Sequence, residues 1–393
     1  MQVGGMSRPM RVLMVHAAYQ QRGGEDSVVD TEVTLLRDHG HEVQLYLRHN
    51  DEATSAGRLG VASQALWSRR SEADMGRLLE TFKPDVVHVH NTWPMVSPSV
   101  YWPAFKAGVP VVQTLHNFRL MCPQAMFLRE GKICEDCLGK LPWRGVVRGC
   151  YRKSRMQTAL LASTVQLHRA MGSYERAVTL FVALSAFSKS KFVQGGLDAD
   201  RIVIKPNFVE DTGDGLLDQR AGGLFVGRLS DEKGISVLLD ALRLGQAPVT
   251  VIGDGDWGQQ TRQQLGNQAL GFRPVAEILS RMKTAAYLVL PSLCGENFPR
   301  TIAEAYSCGL PVIASRLGAM AELIEDGETG LLFEVGNARD LADKLAWAEA
   351  HPQEMLRMGR AARQRYLERY TPDRNHDELM AIYREAQSLI RTR

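Results

Sequence analysis

Short apolar runs recur along the chain, each followed by a loop and then by a stretch whose apolar positions return every three or four residues. Val12-Leu13-Met14-Val15 is the first such run. Bounded by turn formers, it fits a strand buried on both faces. The loop after it carries Gly23-Gly24 and leads into a helix with Val29, Val33 and Leu36 on one stripe. Further strands are expected at Glu42–Leu47, Asp85–His90, Pro110–Leu115 and Leu180–Leu184. The pattern restarts near Gly223, with strands expected at Leu224–Val226, Val249–Ile252, Tyr287–Leu290, Pro311–Ala314 and Gly330–Phe333. Such alternation predicts an α/β class with parallel sheets covered by helices on both faces. Between the halves lie Lys205-Pro206-Asn207-Phe208 and the polar, Gly-bearing stretch Glu210 to Gly223, which has turn formers and little to pack. Two doubly wound, Rossmann-like domains facing each other across a cleft follow, over 1–206 and 207–371. In such sheets ligands bind beyond the carboxyl ends of the strands.

Composition changes this picture little. The 393 residues are 45% hydrophobic and 23% charged, enough to bury two cores. A net charge of +3 gives no reason to expect nucleic acid as a partner. No apolar run approaches the roughly 20 residues of a membrane span, and Met1 to Met10 lack the apolar core of a secretory signal. A cytoplasmic location is therefore expected. Six cysteines in a chain of this size are not a disulfide scaffold.

The second half carries the chemistry. Arg228 follows the expected strand, in Gly227-Arg228-Leu229-Ser230-Asp231-Glu232-Lys233-Gly234. A guanidinium and an ammonium five residues apart on one loop can converge on a pyrophosphate. In Gly295-Glu296-Asn297-Phe298-Pro299-Arg300-Thr301-Ile302-Ala303-Glu304-Ala305, Pro299 suits the first turn of a helix that Gly309 ends. Glu296 then precedes the helix and Glu304 leaves its second turn, roughly 12 Å away at helical rise. Free N–H groups at the helix start can face phosphates between the two carboxylates.

Arg228, Lys233 and the Glu296-x7-Glu304 segment, followed by Gly309-Leu310-Pro311-Val312, resemble family 4 of the retaining glycosyltransferases, which have the GT-B fold. The likeness extends to Gly23-Gly24, His88-x-His90-Asn91, His116 and Gly253-Asp254-Gly255. The resemblance implies a first domain that binds an acceptor, a second that binds a nucleotide diphosphate sugar, and a last helix, 372–393, that crosses back to the first. It implies that Arg228 and Lys233 hold the diphosphate, Glu296 the transferred sugar and Glu304 the ribose. Gly23 and Gly24 would let backbone approach the phosphate, and His116 would lie beside the sugar. Asn297, Phe298, Pro299, Arg300 and Thr301 complete the expected donor site. Where the family commonly has Gly-Leu after the Phe, this chain has Pro299-Arg300, which removes one N–H donor and adds a cation. No metal is expected for catalysis: Asp198-Ala199-Asp200 and Asp254-Gly255-Asp256 fall in turns or caps, where Asp is frequent. Relatives often build lipid-linked or cell-surface glycans, so the resemblance implies transfer of a hexose to a glycan or lipid-linked acceptor.

Two segments stand apart. Cys122, Cys134, Cys137 and Cys150 fit either a structural Zn2+ site or ordinary free thiols, because the outer pair lacks the close spacing of common zinc ribbons. Cys294 and Cys308 read as packing residues. Residues 138–174 hold seven Lys or Arg and no acid, interleaved with Trp143, Val146, Val147 and Tyr151. That fits either an anionic membrane surface or a solvated face. Among rivals, a dinucleotide-dependent oxidoreductase lacks its Gly-x-Gly-x-x-Gly. A nucleotide-sugar epimerase or hydrolase on the same fold stays open, and a non-catalytic sugar-nucleotide binder is disfavoured by intact Arg228, Lys233, Glu296 and Glu304.

Overall fold

The computed structural model describes residues 8–215 and 220–391. In chain order the strands are β1 (Arg11–Ala18), β2 (Glu42–His49), β3 (Val86–Val89), β4 (Val111–Leu115), β5 (Leu128–Arg129), β6 (Lys132–Ile133), β7 (Leu180–Ala183), β8 (Ile202–Ile204), β9 (Gly223–Val226), β10 (Val249–Ile252), β11 (Ala269–Gly271), β12 (Tyr287–Leu290), β13 (Val312–Ser315) and β14 (Gly330–Phe333). Two six-stranded sheets result, ordered β2-β1-β3-β4-β7-β8 and β11-β10-β9-β12-β13-β14, and β5 pairs with β6 in a small hairpin. Every pairing within the two large sheets is parallel. The order reverses at β1/β3 in the first sheet and at β9/β12 in the second. Crevices open at such reversals, beyond the carboxyl ends of the strands.

The ten strands expected from the apolar runs form, to within three residues at either end. β8 and β11 escaped notice because each is a three-residue edge strand with too little alternation to read. The segment after Pro206 is bound rather than slack. Phe208 and Val209 are buried, Asp211 pairs with Arg363 at 2.7 Å, and the N–H of Gly215 donates to the carbonyl of Cys308. Its middle, 216–219, lies outside the described residues. Helix Pro372–Arg391 packs Leu379, Met380, Ile382, Tyr383 and Ala386 against Val12, Met14, Val86 and Val112 of the first sheet.

The halves meet through few side chains. Glu322, on helix Gly318–Leu323, accepts from the N–H groups of Ala186 and Phe187 at 2.9 and 2.8 Å. A carboxylate of the second half thus caps helix Ala186–Gln194 of the first. Phe187 lies close against Gly295, and the Gly295 backbone against Gly318, leaving no room for a side chain at either.

Candidate active site

Three loops of the second half build one wall. The loop after β9 is held down by Gly253, whose backbone (φ +144°) brings a would-be Cβ to 1.8 Å from the carbonyl of Gly227. At its far end Gly234 (φ +67°) lies equally close to the carbonyl of Pro291, after β12. This packing sets Lys233 beside the β12 loop, where its Nζ donates to Oε2 of Glu296 at 2.8 Å. Ser292 donates to the other carboxylate oxygen at 2.6 Å. Burial alone would lower Lys233 and raise Glu296. The attraction between them prevails, so lysine is held above its usual range and the carboxylate below. Arg228 is different: 73% of its side chain is exposed, and Glu232, 3.9 Å away, is its nearest acid. It stands at the strand-order reversal with its charge available.

Helix Arg300–Ser307 follows. Pro299 is not in its first turn but is the residue that caps it, with extended backbone (ψ 102°), because the chain enters the helix from a β-like loop. Phe298 is buried against Tyr370, ring centroids 5.6 Å apart, so its side chain serves the core rather than the cleft. Arg300 lies 3.5 Å from Glu304. Burial raises the Glu304 carboxyl, and Arg300 only partly offsets this. Thr301 is half-buried in the first turn.

The other wall comes from the first half. Asp26 clamps the loop after β1: one oxygen accepts from His16 Nε2 at 2.8 Å and from the Tyr19 N–H at 3.1 Å, the other from the Gly23 N–H at 2.7 Å. Gly23 thereby caps helix Gly24–Asp38, and Gly24 is exposed with open space around it. His116 directly follows β4, half-buried, with Nε2 2.8 Å from Nδ1 of His90. Glu25 gathers Tyr19 (2.7 Å) and Asn117 (3.4 Å) nearby. Asn297 joins the walls directly, donating from Nδ2 to the carbonyl of Leu115 at 3.2 Å. The residue after Glu296 is thus bonded to the residue before His116.

Three features were not legible from spacing. Asp26 and Glu322 look like ordinary helix acids. Glu32 sits on the buried stripe of Val29, Val33 and Leu36, a signal that sequence reading could have used. Glu32, His88 and His90 bring ligating atoms within 4.8 Å of one another. The Lys205 ammonium, 3.0 Å from Glu32, already supplies the positive charge there, so the cluster is an ion pair among histidines.

Two segments remain. No three of the four cysteines Cys122, Cys134, Cys137 and Cys150 bring sulfurs within 4.8 Å of one another, and all four are free thiols. Cys294 and Cys308 are buried, the former pushed up to about 12 by burial and by Glu296 beside it. In the basic segment, an acid just outside the window does compensate: Asp136 takes Arg148 at 2.5 Å and Arg144 at 3.6 Å. Arg169 turns inward to the carbonyl of Leu120.

Residues 23–207 match the model of the glycosyl transferase 4-like domain, and 218–365 that of the glycosyl transferases group 1. The chain belongs to glycosyltransferase family 4. This glycosyltransferase is 26% identical over 381 residues to a phosphatidyl-myo-inositol mannosyltransferase of Mycolicibacterium smegmatis, covering 90% of this chain and 88% of that one. It is 35% identical over 129 residues to an uncharacterized glycosyltransferase of Methanocaldococcus jannaschii, a match spanning 31% of this chain and only 36% of that protein. In fold it is similar to Anabaena HepE in complex with UDP, with a TM-score of 0.66 at 19% identity over 95% of this chain and 99% of that one. The fold is GT-B. Among the described residues, no helix is long and apolar enough to cross a membrane.

Proposed function

We propose that this glycosyltransferase moves a hexose from a nucleotide diphosphate sugar to a glycan or lipid-linked acceptor, with retention and without a metal, in cell-surface polysaccharide or glycolipid synthesis. The observation that carries this reading is the Asn297–Leu115 bond, because it sets the Glu296 loop, beside the β9/β12 reversal, against the His116 loop that follows β4. The diphosphate lies between Arg228, Lys233 and the start of helix Arg300–Ser307. As the glycosidic bond breaks, negative charge grows on the leaving phosphate oxygen, and these groups stabilise it. Glu296 and His116 hold the sugar, Glu304 the ribose, and Gly23 and Gly24 let backbone approach the phosphates. The leaving phosphate takes the acceptor's proton, so no protein nucleophile is needed. The UDP bound by HepE, a protein of the same fold, supports a nucleotide donor.

An open groove of about 670 Å3 supports the acceptor assignment. It runs from Tyr19, on the loop clamped by Asp26, between Leu59, Trp93, Tyr151, Met156 and Leu160. Such a lining suits the apolar part of a lipid-linked acceptor, and an epimerase or hydrolase would have no use for it. Exposed Trp143, Val147 and Met156 support contact between residues 138–174 and an anionic membrane face. The test is donor turnover with and without an acceptor lipid extract, in EDTA. Acceptor-dependent release of nucleotide diphosphate, reduced about a hundredfold in Arg228→Ala, is expected. Donor cleavage indifferent to acceptor would favour the hydrolase, and complete loss in EDTA would refute metal independence.

A further inference from the structure

His116 belongs to a buried polar chain that ends where the two halves join. Lys205, directly after β8, has its ammonium 3.0 Å from Oε1 of Glu32 and donates to Oδ1 of Asn375 at 3.0 Å. Asn375 in turn donates from Nδ2 to the carbonyl of Pro206 at 2.8 Å. One lysine thus ties the chain leaving the first half to the first turn of the helix that returns to it. The second oxygen of Glu32, Oε2, lies 3.2 Å from Nε2 of His90 as an ion-pair contact and has no aligned hydrogen-bond partner among the described residues. Nδ1 of His90 meets Nε2 of His116 at 2.8 Å. Lys205, Glu32 and His90 are all at most 3% exposed.

What each atom faces fixes the hydrogens. Nε2 of His90 faces two groups that only accept, the Glu32 carboxylate and the Met14 sulfur at 2.9 Å, so it carries hydrogen. Lys205 already neutralises Glu32, and a second buried cation would lack a partner. His90 is therefore neutral, with a lone pair on Nδ1, and Nε2 of His116 must donate to it. Burial, reinforced by His90, holds His116 well below the usual histidine range, so its ring is neutral too.

We propose that Lys205, Glu32 and His90 form a positioning relay that fixes His116 as the Nε2–H tautomer and so offers its Nδ1 as a hydrogen-bond acceptor to a ligand hydroxyl. The pivot between the halves and the histidine at the cleft are then one unit. The tautomer stands on the buried network alone, and its consequence for transfer rests on the function proposed above.

Lys205→Met makes the tautomer measurable. Without its counter-ion the buried Glu32 takes up a proton and donates to His90, and the hydrogens reverse along the chain to leave His116 as Nδ1–H. Long-range 1H–15N spectra of histidine-labelled protein read this without substrate, with His116 assigned by its loss in His116→Asn. The expected pattern is Nε2–H in the wild type and in Lys205→Arg, and Nδ1–H in Lys205→Met. An Nδ1–H His116 in the wild type, or no change in folded Lys205→Met, overturns the relay. Should that variant not fold, Glu32→Gln removes the obligatory acceptor, and an unaltered His116 pattern there overturns it equally. In the transfer assay, kcat/KM of Lys205→Met should fall about tenfold or more and recover in Lys205→Arg. A reversed tautomer with unchanged transfer would uphold the relay and sink the sugar-side role of His116.

Discussion

Lys233 and Glu296 show why neither can be judged alone. Each is half-buried, and desolvation works against both charges, yet the pair keeps both ionised. Glu296 is held low, so its share of stability is present above the usual carboxylate range and is lost as pH falls through its depressed value. Lys233 is held high, so its share is present at neutral pH and is lost only as pH rises through its raised value. Lys233→Met inverts the acid side. With the attraction gone, burial raises Glu296, and stability is gained as pH falls and lost as it rises through that raised value. Thermal melts of this variant should therefore improve, relative to wild type, from pH 8 toward pH 5. A pH profile parallel to wild type would mean that Glu296 is solvated and not held by Lys233. The residue types of this pair were legible in the sequence; their contact was not, because 63 residues separate them. Phe298 misled for the opposite reason: it lies inside the expected donor segment, but its side chain points into the core.

At the scale of elements, apolar runs revealed strands because parallel strands buried on both faces are nearly continuous in hydrophobicity. They failed at β8 and β11, edge strands too short to carry a pattern. Loops were legible where a glycine is forced. Gly234 holds a left-handed conformation and approaches the carbonyl of Pro291 too closely for any side chain. Gly234→Ala should cost about 1–3 kcal/mol and weaken donor binding together with stability, since it pushes Lys233 away from Glu296. Calorimetry of a nucleotide diphosphate beside thermal melts would check this, and unchanged affinity would separate the turn from the site. The four cysteines lie near one another, Cys137 raised in part by Cys122 and Cys134, but no three bring their sulfurs within 4.8 Å. Elemental analysis of purified protein should find well under one zinc per chain, and a full equivalent would show that the four thiols close around a metal.

For the molecule as a whole, the sequence was enough for two facing domains, since the turn-forming residues after Lys205 separate two complete strand series. It gave no sign of what joins them across the cleft, because Glu322 resembles any helix-surface acid. Yet two charge-assisted bonds from one carboxylate to backbone N–H groups are worth about 1.5–3 kcal/mol. That makes Glu322 a setting on an equilibrium. A donor gripped by both halves binds only the fraction of molecules whose halves are joined, so its apparent dissociation constant is the intrinsic one divided by that fraction. Glu322→Ala touches no donor group, yet it should raise the donor concentration for half-saturation about tenfold and leave the saturated rate intact. Steady-state kinetics decide it: an unmoved KM would assign the junction to Phe187 and Asn297 alone. Substrate sensitivity in this enzyme is then adjustable from the junction between the halves, by a single acid whose hydrogen bonds go to backbone.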